Sequence, residues 1–239
     1  MDPEAMKPFG AALRDYYRGD HDAMLSLCFD NGQVFPQPAG DFFREPRLYE
    51  MDAMALDLCR GRVLDVGGGA GIHSLCLQEQ GFDVGAVDIC PEAVAIMRDR
   101  GVRDVRLGEI MAFAGGPFDT LLMLGHNIGM LETLGNLAPF LNHARTLTAP
   151  GARILMDSVD VRIRDNVEAR AYHQANIDAG RYFGEMRFAL EYAGTRGPLF
   201  GWLHVDSDTL AARAAEIGWR TTVVMQQPDG NYLAQLVRD

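Results

Sequence analysis

Short apolar runs alternate with segments of helical periodicity along the middle of the chain. Five of these runs have the length and composition of strands, and the segments between them end at turn residues such as Gly81 and Gly101. The five predicted strands lie at residues 62–66, 83–87, 105–107, 118–124 and 153–156. Strands that alternate with helices indicate βαβ units. We therefore expect an α/β fold with a mostly parallel sheet and helices on both faces.

The pattern differs on either side of this region. Residues 181–192 alternate apolar and polar side chains, which predicts a half-exposed antiparallel strand paired with residues 199–205. A helix at 207–217 and two strands at 220–225 and 232–237 close the chain. Before the core, the sequence predicts helices around an irregular middle that contains Asn31-Gly32. We expect a helical cap at 1–60 and a core at 61–239, with 158–205 inserted as a hairpin.

Composition and charge narrow the classes of function. The net charge is −11 and Lys7 is the single lysine, so no basic stripe is visible that could release counterions from a nucleic acid. The four cysteines form no C-x-x-C pair, which argues against a metal site and a disulfide framework. No apolar run approaches the roughly 20 residues of a membrane helix, and the first residues lack a signal-peptide pattern. We expect a cytoplasmic protein with a small-molecule substrate.

The strongest chemical signal is the segment VLDVGGGAG at residues 63–71. Asp65 lies near the end of a predicted strand, and Gly67, Gly69 and Gly71 open the next helix. Glycines permit a tight turn and let a ligand lie against the backbone. The N-terminus of the helix favours an anionic group. The segment therefore predicts a ligand-binding loop, with a tight strand-to-helix turn that binds nothing as the alternative.

Three features narrow the identity of the ligand. No Lys-Ser/Thr pair follows the glycines, which argues against the phosphate-binding loop of nucleoside triphosphatases. Ile72 takes the last position of the dinucleotide fingerprint, where a bulky residue opposes close helix packing. Asp88 ends the next strand about 20 residues after the first glycine, where a carboxylate can accept hydrogen bonds from both ribose hydroxyls. The pattern favours an adenosine cofactor, although Asp88 could instead serve the helix that begins at Pro91.

Four segments of the chain resemble a known family. VLDVGGGAGIHSL and VGAVDICPEAV are similar to the first two motifs of class I S-adenosylmethionine (SAM)-dependent methyltransferases. FDTLLMLGHNIGML and LTAPGARILMDS are similar to the fourth and fifth motifs of that family, and the likeness covers about residues 61–158. The resemblance implies a Rossmann-like, mostly parallel seven-stranded sheet with an antiparallel last strand, and SAM as the cofactor.

The resemblance also implies which residues hold that cofactor. Asp65 would lie near the methionine amino group, Asp88 would bind the ribose, and Ile89 would flank the adenine. Residues after the third and fourth strands would contact the adenine and the methionine end. The implied cofactor-binding residues are Asp65, Gly67, Gly68, Gly69, Gly71, Asp88, Ile89, Glu109, Ile110, Leu124 and Gly125.

The sequence says less about the methyl acceptor and the residues that bind it. The Asn/Asp-Pro-Pro-Tyr/Phe signature of many amino-group methylases of nucleic acid and protein is missing, which disfavours those substrates. Methyl transfer mainly requires alignment of the nucleophile with the methyl carbon, so a catalytic side chain is optional. His126 and Asn127 are the candidate catalytic residues. Arg44, Asp157 and Tyr182 are the candidate substrate-binding residues, and a structural role is the alternative for each.

Two further interpretations stay open at this point. One is an NAD-type oxidoreductase on a Rossmann sheet, and the other is a non-catalytic domain that binds SAM and acts as an interaction module. The inserted segment 158–205 has two interpretations as well. Together with the segment around Arg44 it could form a lid that selects the acceptor, or it could form an oligomer interface.

Overall fold

The computed structural model describes residues 1–163 and 166–238. The chain divides into two compact units. Unit 1 comprises Met1–Ala114 and Arg187–Phe200, and unit 2 comprises Gly115–Met186 and Gly201–Asp239.

The described residues form helices and strands in an order that alternates through the middle of the chain. The α-helices are α1 (Lys7–Tyr17), α2 (Glu50–Leu58), α3 (Ile72–Glu79), α4 (Pro91–Asp99), α5 (Leu137–Leu147), α6 (Val167–Asp178) and α7 (Ser207–Ala215). The strands are β1 (Met24–Phe29), β2 (Val34–Pro38), β3 (Arg62–Val66), β4 (Asp83–Asp88), β5 (Asp104–Leu107), β6 (Phe118–Met123), β7 (Thr148–Val159), β8 (Glu185–Tyr192), β9 (Thr195–Arg196), β10 (Phe200–Leu203), β11 (Trp219–Gln226) and β12 (Asn231–Arg238).

Seven of these strands form one mixed sheet in the order β11-β12-β7-β6-β3-β4-β5. In unit 1, β3 pairs with β4 and β4 with β5, both in parallel. In unit 2, β6 and β7 are parallel, whereas β12 runs antiparallel to both β7 and β11. The predicted Rossmann-like sheet with an antiparallel last strand is therefore confirmed.

Helix α4 packs against the two strands of unit 1 that it connects. Its apolar positions Val94 and Met97 are buried in a cluster with Ala86 of β4 and Val105 of β5. Pro91 begins the helix, where its missing N–H costs nothing because that group has no partner within the helix. Burial of this apolar stripe holds the βαβ connection against the sheet.

A buried tryptophan fixes the end of the sheet in unit 2. Trp219, the first residue of β11, is fully buried, and its indole N–H donates to the Leu141 carbonyl oxygen at 3.2 Å. Phe140 of α5 is fully buried too. Large buried aromatic side chains contribute apolar area, and the indole hydrogen bond keeps the buried N–H satisfied.

The N-terminal segment is not only helical, and here the prediction is wrong. β1 and β2 form an antiparallel hairpin in which Leu27 pairs with Phe35. The Asn31-Gly32 pair interpreted as irregular is its turn, with Gly32 at φ +88° and the Phe29 N–H bonded to the Gln33 carbonyl at 2.8 Å. Asn-Gly between two apolar runs is a strong hairpin signal because glycine tolerates positive φ.

The predicted strand at 181–192 exists as β8, but its surroundings differ from the expectation. The second sheet has the order β10-β8-β1-β2, so β8 pairs with β1 as well as with the predicted partner. Glu185 is one of the polar residues of the alternating pattern, which predicts exposure, but it is buried and accepts a hydrogen bond from the Leu134 N–H at 2.9 Å. Helix α6 was not predicted at all. The pairing of β8 with a distant strand and the burial of the Glu185 carboxylate leave no periodic signal in the local sequence.

Candidate functional site

The loop after β3 has a backbone that requires glycine. Gly67, Gly69 and Gly71 have φ values of +74°, +55° and +82°, in the left-handed region that other residues rarely adopt. The N–H groups of Gly67 and Gly68 donate to the Val87 carbonyl at 2.8 and 3.3 Å, which fixes the loop to the end of β4. The loop leads directly into the N-terminus of α3, with Gly71 as the N-cap.

The glycines divide into two groups by what a side chain would meet. A Cβ on Gly69 would have no atom within 4 Å, so its backbone faces open space. A Cβ on Gly68 would lie 2.8 Å from the Met97 sulfur, and one on Gly71 would lie 3.0 Å from Met97 and Val102. Gly68 and Gly71 thus permit close packing of the loop on α4, whereas Gly69 leaves room for a ligand.

Asp88 is buried at the end of β4, and its carboxylate is held by two backbone groups. Oδ2 accepts from the Gly69 N–H at 2.9 Å, and Oδ1 accepts from the Cys90 N–H at 2.8 Å. Burial raises the pKa of Asp88, and these backbone hydrogen bonds oppose the rise. Each carboxylate oxygen can accept a second hydrogen bond, so the pair can still receive two ligand hydroxyls. Ile89, the next residue, is half-buried.

Asp65 is a second buried carboxylate beside the glycine loop. Its Oδ2 accepts from the Ser74 hydroxyl of α3 at 2.6 Å. Burial raises the pKa of Asp65, while the nearby His73 and the Ser74 hydrogen bond lower it. A buried carboxylate of this kind is stabilised by a cationic ligand group, because opposite charge favours the ionised form.

Arg44 is connected to α3 by a chain of polar contacts within unit 1. Its guanidinium donates to Asp52 at 2.5 Å and lies over the Tyr49 ring at 4.4 Å from the centroid. The same Asp52 oxygen lies 3.1 Å from Nε2 of His73, in the first turn of α3. Asp52 and His73 are both buried. Asp52 was missed by the sequence reasoning because an acidic residue in an ordinary helical pattern gives no signal.

The predicted adenine-contacting pair follows β5. Ile110 is buried, and the Glu109 carboxylate contacts the Met1 amino group at 2.8 Å. An apolar side chain beside an acid fits the edge and face of an adenine ring, and the assignment of this pair stays a prediction.

In unit 2, several of the predicted site residues directly follow β6. Leu124 is buried, Gly125 is exposed with φ +78°, and His126 also has positive φ, at +59°. The His126 N–H donates to Asp157 Oδ1 at 2.8 Å, so the structure brings these two predicted residues together. Asn127 begins the short 3₁₀ helix Asn127–Leu131.

The His126 ring has a partner that the sequence did not indicate. Nε2 of His126 lies 3.0 Å from Oδ1 of Asn231 and 3.7 Å from Oδ2 of Asp157. The His204 ring meets the His126 ring edge-on, with 5.3 Å between the centroids. A hairpin near the end of the chain supplies Asn231, which no motif could connect with residue 126.

Tyr182, also in unit 2, precedes β8 in the chain and contacts Asp206, the N-cap residue of α7. Its hydroxyl donates to the Asp206 carboxylate at 2.5 Å and accepts from the Asp206 N–H at 3.0 Å. Burial raises the pKa of Tyr182. These contacts tie Tyr182 to the N-cap of α7 and give it a clear structural role.

Two absences apply to the described ranges, 1–163 and 166–238. No group of three or more His, Cys, Asp or Glu side chains there could hold a metal ion. No helix in those ranges is long and apolar enough to span a membrane.

The comparisons with known proteins decide the family. A family model described as a methyltransferase domain matches residues 39–222. A solved SAM-dependent methyltransferase from Bacteroides fragilis, in complex with S-adenosyl-L-homocysteine, is 32% identical with a TM-score of 0.87. That match covers 100% of this chain and 98% of the other. The chain belongs to the SAM-dependent methyltransferase family. Membership in this family makes SAM its cofactor and decides against the NAD-type oxidoreductase.

Other methyltransferases share less with the chain. SAM-bound CalS10 from Micromonospora echinaspora, an amino pentose methyltransferase, is 18% identical with a TM-score of 0.53 over 80% of this chain and 90% of its own, which shows the shared fold alone. The ubiquinone biosynthesis O-methyltransferase of Xylella fastidiosa (strain M23) is 30% identical over 113 residues. The matched region is 44% of this chain and 44% of that enzyme, so the chain spans less than half of this relative.

Proposed function

We propose that the protein transfers the methyl group of SAM to a small-molecule acceptor. The observation that carries the proposal is the Asp88 carboxylate, which two backbone N–H groups hold in place beside an open, positive-φ glycine. This arrangement fits the diol of a ribose, because a fixed acceptor pair needs no reorganisation when the hydroxyls arrive. Gly69 leaves the space that the nucleoside would occupy.

The methionine end of the cofactor carries an ammonium and a carboxylate. We assign the ammonium to Asp65, because a buried carboxylate whose pKa is raised by burial gains most from a cation. The N-terminus of α3 favours the cofactor carboxylate, and Arg44 is a candidate partner for an anionic group of the cofactor or of the acceptor. Leu124 and Gly125, which follow β6, are the candidate residues for contact with the methionine part of the cofactor. When bound, the sulfonium supplies an electrophilic methyl carbon and a neutral thioether leaving group.

The acceptor is proposed to bind near the loop that follows β6. Within unit 2, the Trp202 ring lies so close to Gly129 that a Cβ there would be 2.0 Å from it. His204 stands edge-on to His126. The end of the inserted segment 158–205 therefore covers this loop, which supports its role as a wall that selects the acceptor. The net charge of −11 favours a small molecule over nucleic acid.

Calorimetric titration with S-adenosylhomocysteine tests the proposed cofactor site. Saturable 1:1 binding that is weakened in Asp88→Ala is the expected result. Binding of unchanged affinity in that variant would mean that Asp88 does not hold the ribose. Transfer of labelled methyl groups to the small-molecule fraction of a cell extract tests the acceptor class.

A further inference from the structure

We propose that Asp229 and Asn231 are positioning residues that hold His126 with its proton on Nε2, so that Nδ1 takes the proton of a hydroxyl acceptor. The inference rests on the proposed methyl transfer and adds the proton acceptor and the class of substrate. It uses contacts within unit 2 only.

The first step fixes the orientation of the Asn231 amide. The Nδ2 group of Asn231 lies 2.7 Å from Oδ2 of Asp229. An ionised carboxylate can only accept hydrogen bonds, so the NH₂ group must face it. The Asn231 backbone N–H also donates to Oδ1 of Asp229, at 3.1 Å. Asp229 therefore holds both the backbone and the side chain of Asn231, and the amide oxygen points away from it.

The second step fixes the tautomer of His126. With its NH₂ on Asp229, Asn231 presents Oδ1 to Nε2 of His126 at 3.0 Å. Asp157 Oδ2 approaches the same nitrogen at 3.7 Å. Both oxygens are acceptors, so Nε2 must carry a proton, and in the neutral ring Nδ1 then carries the lone pair.

The third step concerns the rigidity of the ring. The Asp157 carboxylate also accepts the His126 backbone N–H at 2.8 Å, which holds the residue in its left-handed conformation. A non-glycine residue at positive φ is conformationally unfavourable, and such conformations cluster at functional sites. The side chain of His126 is 31% exposed, so part of it is open to solvent.

The tautomer of His126 determines which class of methyl acceptor can use the ring as a base. An ionised carboxylate acceptor needs no base, whereas a hydroxyl must lose its proton as its oxygen attacks. Nδ1 of His126 takes that proton and becomes part of an imidazolium ion. The O–H electron pair becomes the new bond from oxygen to the methyl carbon, and the pair of the broken C–S bond stays on sulfur. The tautomer therefore favours an acceptor that must lose a proton over an ionised carboxylate, and we assign the acceptor as a hydroxyl, which gives an ether product.

The tautomer is measured directly by two-bond ¹H–¹⁵N correlation spectra of the histidine rings in the free protein. The His126 signals are assigned by their loss in His126→Gln. We expect a protonated Nε2 and an unprotonated Nδ1. A protonated Nδ1, or an even mixture of tautomers, in the parent protein would overturn the inference.

Variants separate the positioning role from a merely structural one. Asp229→Asn keeps the size of the side chain but lets the Asn231 amide turn over, so the Nε2–H preference should be lost. Asn231→Leu should lose it too, and Gln235→Leu, in the same strand, should retain it. An unchanged tautomer in a folded Asp229→Asn protein would contradict the proposal that Asp229 sets the His126 tautomer through Asn231. Titration of the same samples with S-adenosylhomocysteine reports separately on the proposed function, because cofactor binding does not require this tautomer.

The class of product gives a second check. Label transferred from SAM should appear in a methyl ether, which resists mild alkali. Label that mild alkali releases as methanol would indicate a methyl ester, and the assignment of a hydroxyl acceptor would then be wrong.

Discussion

The Gly69 N–H donates a 2.9 Å hydrogen bond to the Asp88 carboxylate, which joins the glycine loop after β3 to the end of the neighbouring strand β4. This contact sets the position of the acid before any cofactor arrives. Because the Cys90 N–H holds the other oxygen at 2.8 Å, the carboxylate has one orientation. A preorganised acceptor pair binds a diol without the entropic cost of ordering a free side chain.

Replacing Asp88 by Ala should weaken S-adenosylhomocysteine binding by roughly 10- to 150-fold. The estimate corresponds to a charged hydrogen-bond acceptor worth about 1.5–3 kcal/mol. Calorimetry on the purified proteins measures the change. Asp83→Ala is the matched control, because Asp83 is an exposed acid at the opposite end of the same strand. Equal weakening in both variants would contradict the ribose assignment.

A larger residue at Gly69 should remove cofactor binding while the fold persists. Gly69→Val fills space that is open in the structure, at a position with φ +55°. Gly81→Val is the control, since Gly81 also has positive φ, at +88°, with no atom within 4 Å of a Cβ. Both variants should lose similar stability in thermal unfolding, because both strain a left-handed residue. Retained binding in a folded Gly69→Val protein would place the cofactor elsewhere.

Cofactor affinity should depend on pH through Asp65. Burial raises the pKa of this carboxyl in the free protein, and the cofactor ammonium prefers its ionised form. Affinity is therefore full above the raised pKa and falls as the pH drops through it, beginning above the ordinary aspartate value of about 4. Titrations across mildly acidic pH measure the decline, and Asp65→Asn should reduce it. Constant affinity in a folded protein down to about pH 4 would contradict this role.

Asp206 should stabilise the fold as the N-cap of α7. Its carboxylate accepts from the Thr209 N–H at 3.1 Å and from the Tyr182 hydroxyl at 2.5 Å. Burial opposes ionisation, but the hydrogen bonds from Thr209 and Tyr182 outweigh it and lower the pKa of Asp206. Asp206→Ala should cost about 0.5–2 kcal/mol in the free energy of unfolding at neutral pH.

The direction of this pKa shift determines the pH range in which Asp206 stabilises the fold. A lowered folded-state pKa gives stability that is present above the unfolded value of about 3.9 and is lost as pH falls through the folded value. The difference between parent and Asp206→Ala in urea unfolding should therefore shrink in strong acid. Asp208→Ala, an exposed acid in the same helical turn, is the control and should change stability by less than about 0.5 kcal/mol. A comparable loss in the control would argue against a specific cap.

The parallel core could be predicted from the sequence because its signals are local. β3 spans the same residues as its predicted strand, and α4 ends at Asp99, two residues before the predicted turn residue Gly101. Pairing between distant segments was not predictable in the same way. The pairing of β8 with β1 joins residues such as Leu190 and Leu27, and neither run indicates its partner. β7 is longer than predicted, because the turn residues Pro150-Gly151 are absorbed in an irregular stretch of the strand.

In the candidate site too, residues in local motifs could be predicted and residues brought together by tertiary packing could not. Asp65 and Asp88 could be found because each lies at or near the end of a predicted strand, close to the glycine loop. Asp52 and Asn231 could not, since their contacts with His73 and His126 arise from tertiary packing. The cytoplasmic location, an oligomer formed through the inserted hairpin and the division into a cap and a core stay predictions.

The central claim is tested most directly by incubating the purified protein with methyl-labelled SAM and a fractionated cell extract. The label should pass to the small-molecule fraction and depend on the protein. His126→Gln should slow the transfer while S-adenosylhomocysteine binding persists. Protein-dependent label in the macromolecular fraction alone, or no transfer by a protein that binds the cofactor, would contradict the account.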